Sequence, residues 1–136
     1  MVNEHNISVL ILEDNLYAVS ALLGQLANLE QELVTQGHDL TVVVYPSSMY
    51  VEGDVNAHAP EDFDVIILDR DDKQGSSFHV FDVEKFGPQK VIGISTIPEW
   101  NELLKKRGVE RIVRKDFLDL DAWAKEVVRH VIDIVK

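Results

Sequence analysis

Cysteine is absent from the 136 residues, which excludes disulfides and thiolate metal sites and fits a reducing compartment. Positive charge is scarce: 13 Lys and Arg stand against 24 Asp and Glu, for a formal net charge of −11 and a pI near 4.7. Such a surface is not built to neutralise nucleic-acid phosphates or to sit on anionic lipid, so neither nucleic acid nor membrane is an expected partner. Long apolar runs are missing too. The opening "MVNEHNISVLIL" has no basic n-region, and its apolar stretch is too short for a signal peptide or a membrane span. With four prolines and seven glycines, no tract reads as a linker or a low-complexity segment. The expectation is a cytoplasmic protein whose residues 1–136 make one domain, a size at which roughly two-thirds of the unfolded surface can be buried.

What the chain does have is five short β-branched runs: "ISVLIL" at 7–12, "LTVVVY" at 40–45, "DVIIL" at 64–68, "VIGIS" at 91–95 and "RIVR" at 111–114. Apolar runs without alternation are the mark of strands covered on both faces. Between the first two runs, Leu16, Val19, Leu22, Leu23, Leu26, Leu29 and Leu33 recur at spacings of three and four before Gly37, which predicts a long amphipathic helix. Asp14 or Asn15 suits its N-cap. "STIPEW" reads as a second helix start, a capping box from Thr96 to Glu99 with Pro98 in the first turn. From Asp119 onward, Leu120, Trp123, Val127, Val131 and Ile134 share one face of a third helix. "PSSMYVEGDVNAHAPED" and "SSFHVFDVEKFG" are read as further helices, although glycine, proline and short polar residues dilute their periodicity. Trp100 and Trp123 are expected to pack on the sheet, and the five scattered histidines show no ligand spacing.

Strands alternating with helices predict an α/β domain, and five strands give the doubly wound, flavodoxin-like parallel sheet in the order 2-1-3-4-5 with helices on both faces. In such sheets ligands bind beyond the carboxyl ends of the strands at the switch point. Strand one runs into Glu13 and Asp14, strand three into Asp69, strand four into Ser95 and Thr96, and strand five into Lys115. Carboxylates brought within ~5 Å repel by ~3 kcal/mol per pair at an effective dielectric near 20. Either a shared proton or a divalent cation must offset that, and Mg2+, which favours hard oxygen ligands, suits the set. A central aspartate could then attack a phosphoryl group, with the metal, the hydroxyl and the lysine dividing its oxygens.

The motifs "LEDN", "VIILD", "VIGIST" and "RIVRKDF", in this order and spacing over essentially the whole chain, resemble the receiver domain of two-component response regulators. The resemblance implies that Asp69 is the phosphoacceptor, that Glu13, Asp14 and Asp69 hold Mg2+ together with the backbone carbonyl of Asp71, that Ser95 is the switch hydroxyl and that Lys115 pairs with a phosphoryl oxygen. It implies a histidine kinase or histidine phosphotransferase as donor, a downstream protein partner, and a self-phosphorylating switch without turnover. Arg70 and Asp72 are expected to meet only solvent. The pattern departs from the family in four places: the loop reaches Gly75 only six residues after Asp69, Asp116 stands where proline is usual, Ile112 replaces the switch aromatic, and Thr96 is bulkier than the usual residue. A cis bond before a non-proline costs roughly 2.5–4 kcal/mol, so the bond from Lys115 to Asp116 is expected to be trans. Two other classes compete. An unphosphorylated pseudo-receiver acting as an interaction module fits the departures. An aspartyl-phosphate phosphatase of the haloacid dehalogenase type fits "ILDRDDK" superficially, but it wants its nucleophile on the first strand and a longer core after it.

Overall fold

The computed structural model describes residues 6–70 and 77–136. Its five strands are β1 (Asn6–Leu12), β2 (Asp39–Tyr45), β3 (Val65–Leu68), β4 (Val91–Gly93) and β5 (Arg111–Ile112). They form one parallel sheet in the order β2-β1-β3-β4-β5, so β1 and β3 are neighbours from which the chain winds in opposite directions. This is the doubly wound α/β fold that the apolar runs predict. Four α-helices are described: α1 (Leu16–Thr35), α2 (Val83–Phe86), α3 (Pro98–Lys106) and α4 (Leu120–Val135).

The strand runs lack alternation because each face has its own core. Val9, Ile11, Val65, Ile67, Ile92, Ile94 and Val113 point to one side, where Leu22, Leu26 and Leu29 of α1 meet Trp123, Val127 and Val131 of α4. Leu10, Leu12, Ile66, Leu68 and Val91 point to the other, against Phe78, Phe81, Phe86, Leu104 and Val109. The first helix matches its expectation. Asn15 caps it by accepting from the Ala18 N–H at 3.0 Å, and Gly37 at φ 81° closes it, with His38 N–H donating to the Leu33 carbonyl and Gly37 N–H to that of Val34. That pair of bonds is a Schellman end, which needs a residue tolerant of left-handed backbone. Leu16 and Leu23, counted in the apolar stripe from sequence, are exposed.

Three expectations are corrected. The 46–62 stretch is not an α-helix but three 3-10 turns, Ser48–Tyr50, Val55–Ala57 and Pro60–Asp62, of which Val55 enters the core along with the flanking Val51 and Phe63. Pro46, Gly53 and Pro60 interrupt the hydrogen-bonded ladder that an α-helix needs. In the 76–87 stretch the described residues form only the 3-10 turn Phe78–Val80 and the single-turn helix α2, and a further 3-10 turn, Pro88–Lys90, leads into β4. The capping box at Thr96 does not form: Ile97 is the N-cap of α3, with no side-chain cap bond. Pro98 keeps its predecessor out of the helical region, and Ile97 accordingly lies at φ −97°, ψ 114°.

Gly93 lets α3 approach the sheet. A Cβ there would lie 2.7 Å from Leu104 Cδ1 and 2.8 Å from Ile112 Cδ1. Gly93→Ala is therefore expected to lower stability by about 1–3 kcal/mol through overpacking, read as a lower urea midpoint at unchanged slope. A midpoint equal to wild type would show that the contact gives way freely.

Candidate phosphoacceptor and metal site

The strand ends bring the sequence-selected residues to one edge of the sheet. The β1–β3 ladder continues one step past the strands, with Asp69 N–H donating to the Leu12 carbonyl at 3.0 Å, and this sets Asp69 beside Glu13. Ile94 N–H donates to Leu68 and Val113 N–H to Gly93, so the same progression carries Ser95 and Lys115 to that edge. Glu13, Asp14, Asp69, Ser95 and Lys115 are all buried, five of the seven buried polar side chains among the described residues.

The carboxylates of Glu13, Asp14 and Asp69 each offer an oxygen within 4.8 Å of the others. Lys115 Nζ donates to Glu13 Oε1 and, at 3.0 Å, to Asp69 Oδ2. Glu13 Oε2 accepts from the Asn15 N–H at 3.0 Å, so both of its oxygens are engaged. Burial first, and then the charge of Asp69, push the Glu13 carboxyl up to about 7 against the opposing pull of Lys115. Burial alone would lower the Lys115 ammonium, but Glu13 and Asp69 outweigh it and the group is raised, so it stays charged. Among the described residues one ammonium is thus set among three acids, a grouping that a divalent ion fits. The donors are hard oxygens gathered within 4.8 Å of one another, the ligand type magnesium favours.

Ser95 is held by two local bonds. Its Oγ accepts from the Ile97 N–H at 3.1 Å, and its carbonyl accepts from Asn101 Nδ2 at 2.9 Å. The Ser95 hydroxyl, not that of Thr96, thus ties down the start of α3. Thr96 contributes through its carbonyl, which accepts from Arg114 Nε at 2.9 Å. The described peptide bonds are all trans, including that from Lys115 to Asp116. Asp71, expected to offer its carbonyl to the metal, and Asp72 lie outside the described residues.

Four neighbours of the site escaped sequence reasoning. The Arg70 guanidinium, expected in solvent, lies 4.1 Å over the ring of Trp100, which was expected to pack on the sheet. Asn101 is buried beneath Ser95, where an amide in a helix reads from sequence as a surface residue. Phe117 is exposed with the Lys115 ammonium 5.6 Å from its ring centre. Trp123, by contrast, packs as expected, and its indole N–H donates to the Val113 carbonyl at 3.1 Å. No helix among the described residues is long and apolar enough to cross a membrane.

No protein-family model and no curated protein sequence matches the chain. Among solved structures it is similar to a crystal structure of a response regulator receiver domain from Rhodospirillum rubrum, with a TM-score of 0.62 at 10% identity, over 96% of this chain and 95% of that one. At that identity the likeness is one of architecture, and it agrees with the strand order and the edge at which the acids gather. The chain has the fold of a response regulator receiver domain, with a buried three-carboxylate cluster and a lysine at the carboxyl edge of its sheet.

Proposed function

We propose that the chain is a receiver-type signalling switch that accepts a phosphoryl group on Asp69. The observation that carries this reading is the convergence of Glu13, Asp14 and Asp69 within 4.8 Å around the single ammonium of Lys115. Such a cluster is costly for folding alone, because carboxylates at this spacing repel by ~3 kcal/mol per pair at an effective dielectric near 20. In the reaction, a carboxylate oxygen of Asp69 attacks the phosphorus of a phosphohistidine on a histidine kinase or histidine phosphotransferase. The new P–O bond forms as the P–N bond breaks, and the imidazole leaves with the electron pair of that bond. Lys115 then turns its ammonium from the carboxylates toward a phosphoryl oxygen, and the Ser95 hydroxyl donates its proton to another. Magnesium bound by Glu13, Asp14 and Asp69 would supply positive charge against which the transferred group is stabilised.

The acyl phosphate is a state, not a turnover product, so the output is a changed affinity for a downstream protein partner in the cytoplasm. Treating the protein with acetyl phosphate and Mg2+ should add one phosphoryl mass, mapped by peptide mass spectrometry to Asp69 and absent in Asp69→Asn. If no residue is modified while partner binding persists, the chain is an unphosphorylated interaction module. Sustained release of phosphate from p-nitrophenyl phosphate would instead make it a phosphatase.

A further inference from the structure

Ser95 stands where the sheet releases its fourth strand. The last rung between β4 and β5 runs from the Val113 N–H to the Gly93 carbonyl at 2.9 Å. The next rung of a parallel ladder would join the Lys115 N–H to the Ser95 carbonyl, but among the described bonds that carbonyl accepts instead from Asn101 Nδ2 at 2.9 Å. A side chain thus takes over from the sheet at this residue. Asn101 lies one turn into α3, where it and Leu104 are the buried residues of the helix. Because a carbonyl only accepts, the amide nitrogen must face it. The amide oxygen is left toward Gly93, 3.6 Å from where a Cβ would stand, and no donor among the described residues reaches it.

One bond made and one acceptor stranded is a poor exchange for stability. A neutral hydrogen bond shifts the folding equilibrium toward the native state by about 2–12-fold, whereas a buried acceptor without a donor shifts it back by about 5–150-fold. Leucine has nearly the shape of asparagine and would carry neither effect. Stability therefore does not account for an amide at position 101, and its contact with Ser95 is what remains to account for it.

We propose that Asn101 is a positioning residue for the Ser95 hydroxyl, holding the Ser95 main chain at the acceptor edge so that the hydroxyl reaches a phosphoryl group on Asp69. This rests on the reading of Asp69 as the acceptor. Two ties bind Ser95 to α3, and they differ in which part of the residue they use. The Ile97 N–H holds the hydroxyl oxygen, the atom that serves the phosphoryl group. Asn101 holds the carbonyl, which the phosphoryl group does not need. The amide therefore keeps the main chain in place while the hydroxyl changes partner. A donor fixed in advance in this way spends little free energy on reorganisation when the new oxygens arrive. The stranded amide oxygen is the stability given up for that placement.

Beryllofluoride with Mg2+ serves as the phosphoryl probe, its Kd read from the rise in melting temperature with concentration. Urea midpoints of the probe-free proteins are measured beside it. Asn101→Leu should have a midpoint equal to or above that of wild type, yet bind beryllofluoride about three- to tenfold more weakly. Ser95→Ala should weaken binding at least as much. Adding Asn101→Leu to Ser95→Ala should weaken it less than about twofold further, because the amide acts through the hydroxyl that is already gone. Asn101→Ala removes both polar atoms without adding bulk and should repeat the affinity loss and its dependence on Ser95, so a failure of Asn101→Leu to fold does not shelter the proposal. A loss of the same size in the Ser95→Ala background, wild-type affinity in Ser95→Ala itself, or a lowered midpoint with unchanged affinity overturns the positioning role while leaving Asp69 as acceptor. No rise in melting temperature in wild type, together with no adduct on Asp69 from acetyl phosphate, removes the acceptor reading and the positioning role with it.

Discussion

Lys115→Met destabilises the metal-free protein by about 3–5 kcal/mol, the range expected when one partner of a buried ion pair is removed and the other is left without its counter-charge. Here two carboxylates lose it together, since the ammonium donates to both Glu13 and Asp69 and all three groups are buried. Methionine keeps most of the apolar stem, so little of the loss comes from packing. The effect should also depend on pH. Burial and the charge of Asp69 already raise Glu13 from the ordinary 4.5 to about 7 in the folded chain. A raised carboxyl contributes its stability fully below its unfolded pKa, and that contribution is lost as pH rises through the folded value. Without Lys115 the folded value rises further, so the deficit of the variant should be larger at pH 8 than at pH 5. Urea unfolding at the two pH values in the presence of a chelator measures this. A deficit under about 1 kcal/mol at pH 8 would place the ion network among ordinary surface pairs.

Magnesium should have the opposite effect. A ligand that binds only the folded state stabilises it by RT ln(1 + [L]/Kd), about 2.7 kcal/mol at a hundredfold excess over Kd. For a domain of this length each kcal/mol raises Tm by roughly 4 °C. Matched potassium chloride must be the control, because screening alone relieves some of the repulsion. Asp69→Asn separates charge from ligation. It removes one of three crowded carboxylates, so the metal-free variant should be at least as stable as wild type. It also removes one of the proposed metal ligands, so its gain from magnesium should fall to less than half. Equal magnesium shifts in the two proteins would mean that the ion, if bound, is not bound at Asp69.

The parts of this molecule legible in the sequence are those fixed by short-range pattern acting within a regular sheet. Five apolar runs had to be strands covered twice, and once they were parallel the residue after each strand end had to face the same edge. Glu13, Asp69, Ser95 and Lys115 could be gathered on that ground alone. The crossover after β2 was not legible, because three isolated 3-10 turns carry no period, and their burial is decided by Val51, Val55 and Phe63 finding a wall built elsewhere. The start of α3 was misread because two rules conflicted. The Thr96 and Glu99 spacing favours a capping box, but Pro98 forces an extended Ile97, and the steric rule prevailed. Arg70 looked like a surface residue because it is of a polar type, and Asn101 carried no sequence signal; only tertiary contact with Trp100 and Ser95 distinguishes them.

The ion pair between Lys115 and Glu13 joins residues 102 positions apart. A contact of that separation closes nearly the whole chain, and the entropy of closing so large a loop makes it one of the last to form. During synthesis Glu13 and Asp14 leave the ribosome long before their counter-ion is made, so no nascent fragment can assemble the pocket. The cluster of carboxylates and lysine is then a property of the finished fold alone, and an unfinished chain does not contain it.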